Sequence, residues 1–124
     1  MMLDWNTYRQ QLKVGVGELG KINPNVVGGY VQMSGAGSKS NLLSPKVREL
    51  IALAVAVTAR CDGCITIHVD AAIRNGATLD EIAEALGVAI SVNAGAAMVY
   101  TTRVMDAFHQ HPNRVGQVSG SADR

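Results

Sequence analysis

The sequence is poor in the residues that mark secreted, nucleic-acid-binding and membrane-surface proteins. Its 124 residues include only two cysteines and three prolines, with 4% aromatic residues, 17% charged residues and a net charge of +1. Two cysteines so close in sequence cannot cross-link distant parts of a fold, which excludes a disulfide framework of the secreted type. Scattered charges of both signs leave no basic face and no polybasic segment. We therefore expect neither nucleic acid nor membrane as a partner.

We also expect neither a membrane-spanning segment nor a leader. The longest uncharged run, which we take as residues 85–100, includes Ser91 and Asn93 and falls short of the ~18 residues that a membrane-spanning helix usually needs. We interpret it as a buried helix or a subunit interface. The first five residues lack the basic and then apolar order of a signal peptide. The expected location is the cytoplasm.

Small and medium aliphatic residues dominate what is present. Apolar residues make up 48% of the chain, they recur at helical spacing, and no strand pattern or internal repeat stands out. At this length the chain suffices for one domain, which we place at residues 1–112, with 113–124 as a flexible tail. The predicted fold is all-α, a compact domain of about six helices around a central antiparallel helical hairpin.

Local signals predict where these helices begin and end. One helix should run from the cap Asp4 to about Gly20, and another should begin at Asn23-Pro24. Residues 34–44 read as a loop. Thr78 and Glu81 form a capping box for a later helix, Gly87 should interrupt it, and Pro112 should follow the last helical segment, which reaches about Gln110.

Two glycine-rich stretches imitate phosphate-binding motifs. Gly15, Gly17 and Gly20 have the spacing G-x-G-x-x-G, and residues 34–44 resemble a P-loop in composition. No strand precedes either stretch, and a phosphate-binding fingerprint needs that context. We therefore predict no nucleotide site and no cofactor.

The segment Ser44–Gly76 organises the rest of the chain. Ser44 and Pro45 suit the cap and first position of a helix, and residues 50–59 contain no charge. A continuous helix would hold Glu49 and Cys61 about 18 Å apart, at 1.5 Å per residue. We predict that Asp62-Gly63 breaks the helix, so that two antiparallel halves bring these residues close. Gly76 suits the left-handed position that ends the second half.

Such a hairpin would assemble a thiol site. Cys61, Cys64 and His68 are spaced three and four residues apart, which places them on one face of the second helix, and His68 would come within about one turn of Glu49. The helix N-terminus favours a thiolate, and histidine can take the thiol proton while a carboxylate orients its ring. Cys64 is the cysteine that His68 could activate, and Cys61 is more open to a reductant, although the order of attack stays open.

Each of these residues also has a structural interpretation. The cysteines could be small buried apolar residues, or they could bind zinc together with His68, although a closed zinc site needs a fourth ligand. A lone histidine is more often a hydrogen-bonded core or surface residue. Glutamate near a helix N-terminus is favoured by the helix dipole whatever the function. We predict no metal site.

At these positions the sequence resembles the carboxymuconolactone decarboxylase / alkylhydroperoxidase-D-like family. The redox-active branch of that family has a glutamate, a C-x-x-C pair twelve residues later, and a histidine four residues after the second cysteine. Glu49, Cys61, Cys64 and His68 match this spacing, and residues 76–82, GATLDEI, resemble the start of the family's next helix. The resemblance spans about residues 43–108. It departs at Gly63, where the hydroperoxidase prototype has a histidine.

The resemblance implies an all-α fold that assembles as homo-trimers or homo-hexamers. It also implies a thiol-dependent peroxidase that reduces hydroperoxides through the cysteine pair, with Glu49, Cys61, Cys64 and His68 as catalytic residues. A lipoylated or thioredoxin-like dithiol would reduce the pair again. The alternatives are a non-redox lyase or small-molecule binding protein of the same fold, and a purely oligomeric scaffold.

Overall fold

The computed structural model describes residues 2–115, and every regular element in that range is an α-helix. The helices are α1 (Trp5–Ile22), α2 (Pro24–Ser34), α3 (Ala36–Ser40), α4 (Pro45–Ala59), α5 (Asp62–Arg74) and α6 (Leu79–Gln110). The predicted fold class, all-α around a helical hairpin that carries C-x-x-C, is confirmed.

Helices α1 and α2 begin where their capping residues predict. The Asp4 carboxylate accepts the Thr7 amide at 3.1 Å, and this bond holds the pKa of Asp4 below its usual value. Pro24 occupies the first turn of α2, where its missing N–H leaves no helical bond unmade. The glycines of the G-x-G-x-x-G stretch all lie inside α1, with no strand before them.

The predicted loop at residues 34–44 contains a helical turn, α3, that the composition did not indicate. Hydroxyls stabilise it, because Ser38 Oγ donates to the Gly35 carbonyl at 2.8 Å and Ser40 Oγ donates to the Gly37 carbonyl at 3.3 Å. Asn41, in the left-handed conformation, ends the turn. The Arg48 side chain from α4 lies against Gly37 and donates to the Leu43 carbonyl, so α4 supports this connection.

Helices α4 and α5 pack against each other as the central pair. Ser44 Oγ caps α4 by accepting the Val47 amide at 3.2 Å. At the far end of α5, Gly76 has a φ of 82° and its amide donates to the Ile73 carbonyl, while the Ala77 amide donates to the Ala72 carbonyl. This pair of bonds is a Schellman motif, and it confirms the predicted end of α5.

Helix α6 begins at the predicted capping box but does not break at Gly87. Thr78 Oγ1 accepts the Glu81 amide at 3.1 Å, and a Glu81 carboxylate oxygen accepts the Thr78 amide at 2.9 Å. A glycine lowers helix propensity by only about 1 kcal/mol, and the good helix formers on both sides of Gly87 outweigh that amount. The sequence predicts a break or a kink at Gly87, and the predicted break is wrong.

The full length of α6 alters the expectation that no segment of the chain could span a membrane. Its 32 residues are long and apolar enough, by length and composition alone, to cross a membrane, whereas the run 85–100 by itself was too short. Among the described residues it is the one helix with this property. Only 6% of the apolar window is buried within the structure, so the segment is not a buried helix of the single chain, and its role as a subunit interface stays a prediction.

The chain divides after Ala89 into two compact units. The buried apolar residues of the described chain are few and mostly small: Leu53, Ala56, Ala71, Ala72 and Ala89. Four of them lie on α4 and α5, so the core of the first unit surrounds the hairpin. The predicted domain, 1–112, and tail, 113–124, stay predictions, and residues 116–124 lie outside the described range.

Candidate active site

A two-residue turn joins α4 to α5 and sets the position of both cysteines. Arg60 ends α4 in the left-handed conformation, with φ 56° and ψ 49°, and Cys61 is extended. The predicted break at Asp62-Gly63 is thus displaced, because these two residues already form the first turn of α5. Asp62 suits that position, since its charge faces the positive end of the helix dipole. The hairpin itself forms as predicted.

Cys61 and Cys64 form a disulfide at the N-terminus of α5, with their Cα atoms 5.2 Å apart. Cys61 is the N-cap of the helix, and its Sγ accepts the Cys64 backbone N–H at 3.1 Å. Both residues are half-buried. When the bond is reduced, this amide and the helix dipole stabilise negative charge on the Cys61 sulfur.

Glu49 and His68 meet across the hairpin. Glu49 lies in the second turn of α4, His68 lies in the second turn of α5, and Glu49 Oε2 is 2.6 Å from His68 Nδ1. Their side chains are 22% and 26% exposed. The helix dipole acts mainly within the first turn, so it does not explain the position of Glu49, whereas this bond does.

The bond assigns the two nitrogens of the His68 ring different roles. An ionised carboxylate only accepts hydrogen bonds, so Nδ1 carries the proton that is shared with Glu49. In the neutral ring Nε2 then has the free lone pair. In this arrangement Glu49 can orient His68 as a base and can stabilise the positive ring that forms when Nε2 takes a proton.

The four predicted residues form two pairs within the hairpin. Cys61 and Cys64 are joined by the disulfide, and Glu49 and His68 are joined by the hydrogen bond. Cys64 and His68 are four residues apart on α5, which places their side chains on one face about 6 Å apart along the axis. Within residues 2–115 no hydrogen bond joins His68 to either sulfur. Their catalytic roles stay predictions.

Helix α1 covers the α5 side of the turn, through contacts that the sequence did not identify individually. The buried hydroxyl of Thr66 donates to the Trp5 carbonyl at 3.2 Å. A methyl group built on Gly63 would lie 3.0 Å from Cδ2 of Leu12. Little in the sequence indicated the contact between Leu12 and Gly63, because Leu12 is one of several apolar residues at helical spacing along α1.

The described residues contain no group of three or more histidine, cysteine, aspartate or glutamate side chains arranged to hold a metal ion. The sulfurs of Cys61 and Cys64 are bonded to each other. Zinc binds cysteine as the thiolate, so the oxidised pair offers no such ligand.

Comparison with known proteins places this hairpin in a family. Residues 24–107 match the model of the carboxymuconolactone decarboxylase family. An uncharacterized protein of Haemophilus influenzae is 44% identical over 108 residues, which cover 87% of this chain and 96% of the relative. An uncharacterized protein of Cupriavidus necator is 30% identical over the same shares of the two chains. "Uncharacterized protein 4 in cox locus" of Paracoccus denitrificans is 32% identical over 90 residues, 73% of this chain and 81% of the relative. The family match spans most of the chain and includes the whole α4–α5 hairpin, so this protein belongs to the carboxymuconolactone decarboxylase family.

Proposed function

We propose that the protein is a thiol-dependent peroxidase that reduces hydroperoxides through the Cys61–Cys64 pair. The observation that carries the proposal is the Glu49–His68 bond of 2.6 Å, one helical turn from Cys64. A disulfide alone is compatible with a structural role. A disulfide beside an oriented base is the arrangement that thiol chemistry requires.

The first step is attack by Cys64. His68 Nε2 takes the thiol proton, and the resulting thiolate attacks the terminal oxygen of the hydroperoxide. A sulfur–oxygen bond forms and the oxygen–oxygen bond breaks. The His68 imidazolium returns its proton to the leaving alkoxide, so the products are an alcohol and a sulfenic acid on Cys64. Glu49 stabilises the imidazolium between the two proton transfers.

Cys61 then resolves the sulfenic acid. The Cys61 thiol gives up its proton, and its thiolate, stabilised by the Cys64 amide, attacks the Cys64 sulfur; the sulfur–oxygen bond breaks, and the hydroxide that leaves takes up that proton to become water. An external dithiol opens the disulfide by thiol–disulfide exchange and leaves as its own disulfide, which restores both thiols. A lipoylated or thioredoxin-like protein is the class of reductant that we propose, and the cytoplasm is a compartment that supplies such dithiols.

Copies of the same chain are the second partner that we propose. Large apolar side chains on α6 are widely exposed, among them Ile90, Met98, Val99 and Tyr100, each 65–70% accessible. Single monomers rarely leave so much apolar surface in contact with water. Homo-trimers or homo-hexamers, which the family resemblance implies, would cover it.

Peroxide consumption with an excess of a small dithiol tests the proposal. The wild-type protein should consume peroxide catalytically, and variants with serine at Cys61 or at Cys64 should not. Substitution of Glu49 or His68 should slow turnover. Equal activity in the wild type and in the double cysteine variant would refute the mechanism.

A lyase or binding protein of the same family is the second candidate, and the family match favours it. Glu49 and His68 can perform acid–base chemistry without thiols. The double cysteine variant separates the two candidates, because a lyase or binding site would keep its function without either sulfur.

A further inference from the structure

The Glu49–His68 bond has a charged neighbour on its own helix. Lys46 precedes Glu49 by three residues on α4, and residues three apart on a helix have their Cβ atoms about 5–6 Å from each other. The lysine side chain is long enough to bring its ammonium group to the Glu49 carboxylate. The bond to His68 uses Oε2 of Glu49, so Oε1 is a second acceptor for such a pair.

In the structure Lys46 binds a different carboxylate. Its Nζ lies 2.8 Å from Oε2 of Glu81, in the first turn of α6. The other oxygen of Glu81, Oε1, accepts the Thr78 amide at 2.9 Å, so the capping box fixes this carboxylate in place. The bond from Lys46 and then the bond from Thr78 hold the pKa of Glu81 below its usual value. Glu81 is therefore charged at neutral pH and holds the lysine as an ion pair.

Helix α4 by itself does little to fix the side chain of Lys46. The positive end of the helix dipole disfavours a cation in the first turn. Within a helix, a glutamate that precedes its lysine is the more favourable order, and here the lysine comes first. Among residues 2–115 the ion pair of Lys46 is with Glu81, and none joins it to Glu49. The pair with Glu81 thus outweighs a pair with Glu49.

We propose that Glu81 is a positioning residue for the Glu49–His68 pair. By holding Lys46, it keeps a second cation off the Glu49 carboxylate, so that the full negative charge of Glu49 acts on the His68 ring. The inference rests on the proposed function, because His68 needs that charge when it takes the Cys64 proton. The state of the His68 ring is nevertheless measurable without peroxide.

Two substitutions break the same ion pair with different consequences. Glu81→Gln keeps the capping box, in which glutamine also serves, but it releases Lys46 toward Glu49. Lys46→Met breaks the pair and leaves no cation to compete. A purely structural ion pair would make the two variants alike, whereas the proposal requires that only Glu81→Gln disturb His68. Glu84→Gln is the matched control, because Glu84 is an exposed carboxylate on α6 that forms none of the ion pairs within residues 2–115.

The first readout is the ring-proton NMR spectrum of the oxidised protein at neutral pH. The chain has three histidines, and His68→Gln identifies the signal of His68. Glu49→Gln defines the shift that accompanies loss of the carboxylate charge. The His68 signal should move part of the way toward that position in Glu81→Gln. It should keep its wild-type position in Lys46→Met, in Glu84→Gln and in the double variant Glu81→Gln/Lys46→Met. Equal shifts in Glu81→Gln and Lys46→Met, or no shift in Glu81→Gln, would overturn the proposal.

The second readout is the rate at which one equivalent of hydroperoxide oxidises the reduced protein. Glu81→Gln should slow this reaction about threefold, the size expected for one partly exposed ion pair. Adding Lys46→Met should restore the wild-type rate. A double variant as slow as Glu81→Gln alone would overturn the proposal, because the released lysine would then not be the cause. Circular dichroism checks that all variants remain folded.

Failure of this inference and failure of the proposed function give different results. The expected NMR shifts without any oxidation of the thiols by peroxide would overturn only the peroxidase. Catalytic peroxide turnover together with the same His68 signal in Glu81→Gln, Lys46→Met and the wild type would overturn only the role of Glu81.

Discussion

Replacing Glu49 by glutamine should slow oxidation of the dithiol by peroxide about tenfold without disturbing the fold. Glutamine keeps the shape of the side chain, and its amide oxygen still accepts the hydrogen bond from His68 Nδ1. The variant therefore preserves the ring orientation and removes only the negative charge. That charge matters at one moment, when His68 holds the proton of the Cys64 thiol.

The magnitude follows from the geometry of the pair. Two unit charges about 4 Å apart attract by ~1 kcal/mol in water and by ~4 kcal/mol at an effective dielectric constant of 20. Glu49 and His68 are 22% and 26% exposed, so the pair lies between these limits but is substantially screened. A loss of about 1.5 kcal/mol for the transient imidazolium corresponds to roughly a tenfold slower step.

A single-turnover assay measures this step directly. Reduced protein is mixed with one equivalent of hydroperoxide, quenched at intervals, and its free thiols are counted, so no reductant limits the rate. Asp70→Asn is the matched control, because Asp70 is a carboxylate on α5, the helix that carries His68, and pairs with Arg74 at the surface. If Glu49→Gln and Asp70→Asn both react at the wild-type rate, the carboxylate has no part in the chemistry.

Three further predictions concern stability and assembly. Reducing the Cys61–Cys64 bond should lower the free energy of unfolding by only about 2 kcal/mol, because the bond closes a very short loop; denaturant titration that shows an unfolded reduced chain would contradict this. The hydrogen bond from Lys46 holds the pKa of Glu81 below its usual 4.5. This pair should therefore stabilise the fold above that pH and cease to do so as the pH falls through the lower folded value, so melting temperatures of Lys46→Met should show a weaker acid dependence than those of the wild type. Val99→Asp should reduce the oligomer in size-exclusion chromatography with light scattering, and a monomeric wild-type protein would refute the proposed assembly.

Local hydrogen bonding made much of the fold predictable from sequence. Ser44 and Asp4 cap their helices because each side-chain oxygen accepts an otherwise unpaired backbone N–H three residues further along the chain. Gly76 ends α5 because it adopts a positive φ at little energetic cost. The approach of Glu49 to His68 also followed from sequence, since it depended only on counting residues from a turn.

The remaining features depend on packing between distant residues. Arg60 adopts the left-handed conformation that ends α4. No local sequence pattern predicts that this arginine, rather than the nearby Gly63, takes that conformation. Gly87 stays helical because its neighbours on α6 outweigh its low propensity. The contact between Leu12 and Gly63 joins residues that are 51 apart in the chain. The apolar pattern of α1 could not identify this contact, because several residues of that helix share the pattern.

A thiol count on the reduced protein, before and after one equivalent of hydroperoxide, shows whether the two cysteines react as a pair. The account predicts that both thiols disappear together, that Cys61 and Cys64 are recovered as one disulfide by mass spectrometry, and that a dithiol restores both. Thiols that persist in the presence of peroxide, or that oxidise independently of each other, would contradict it.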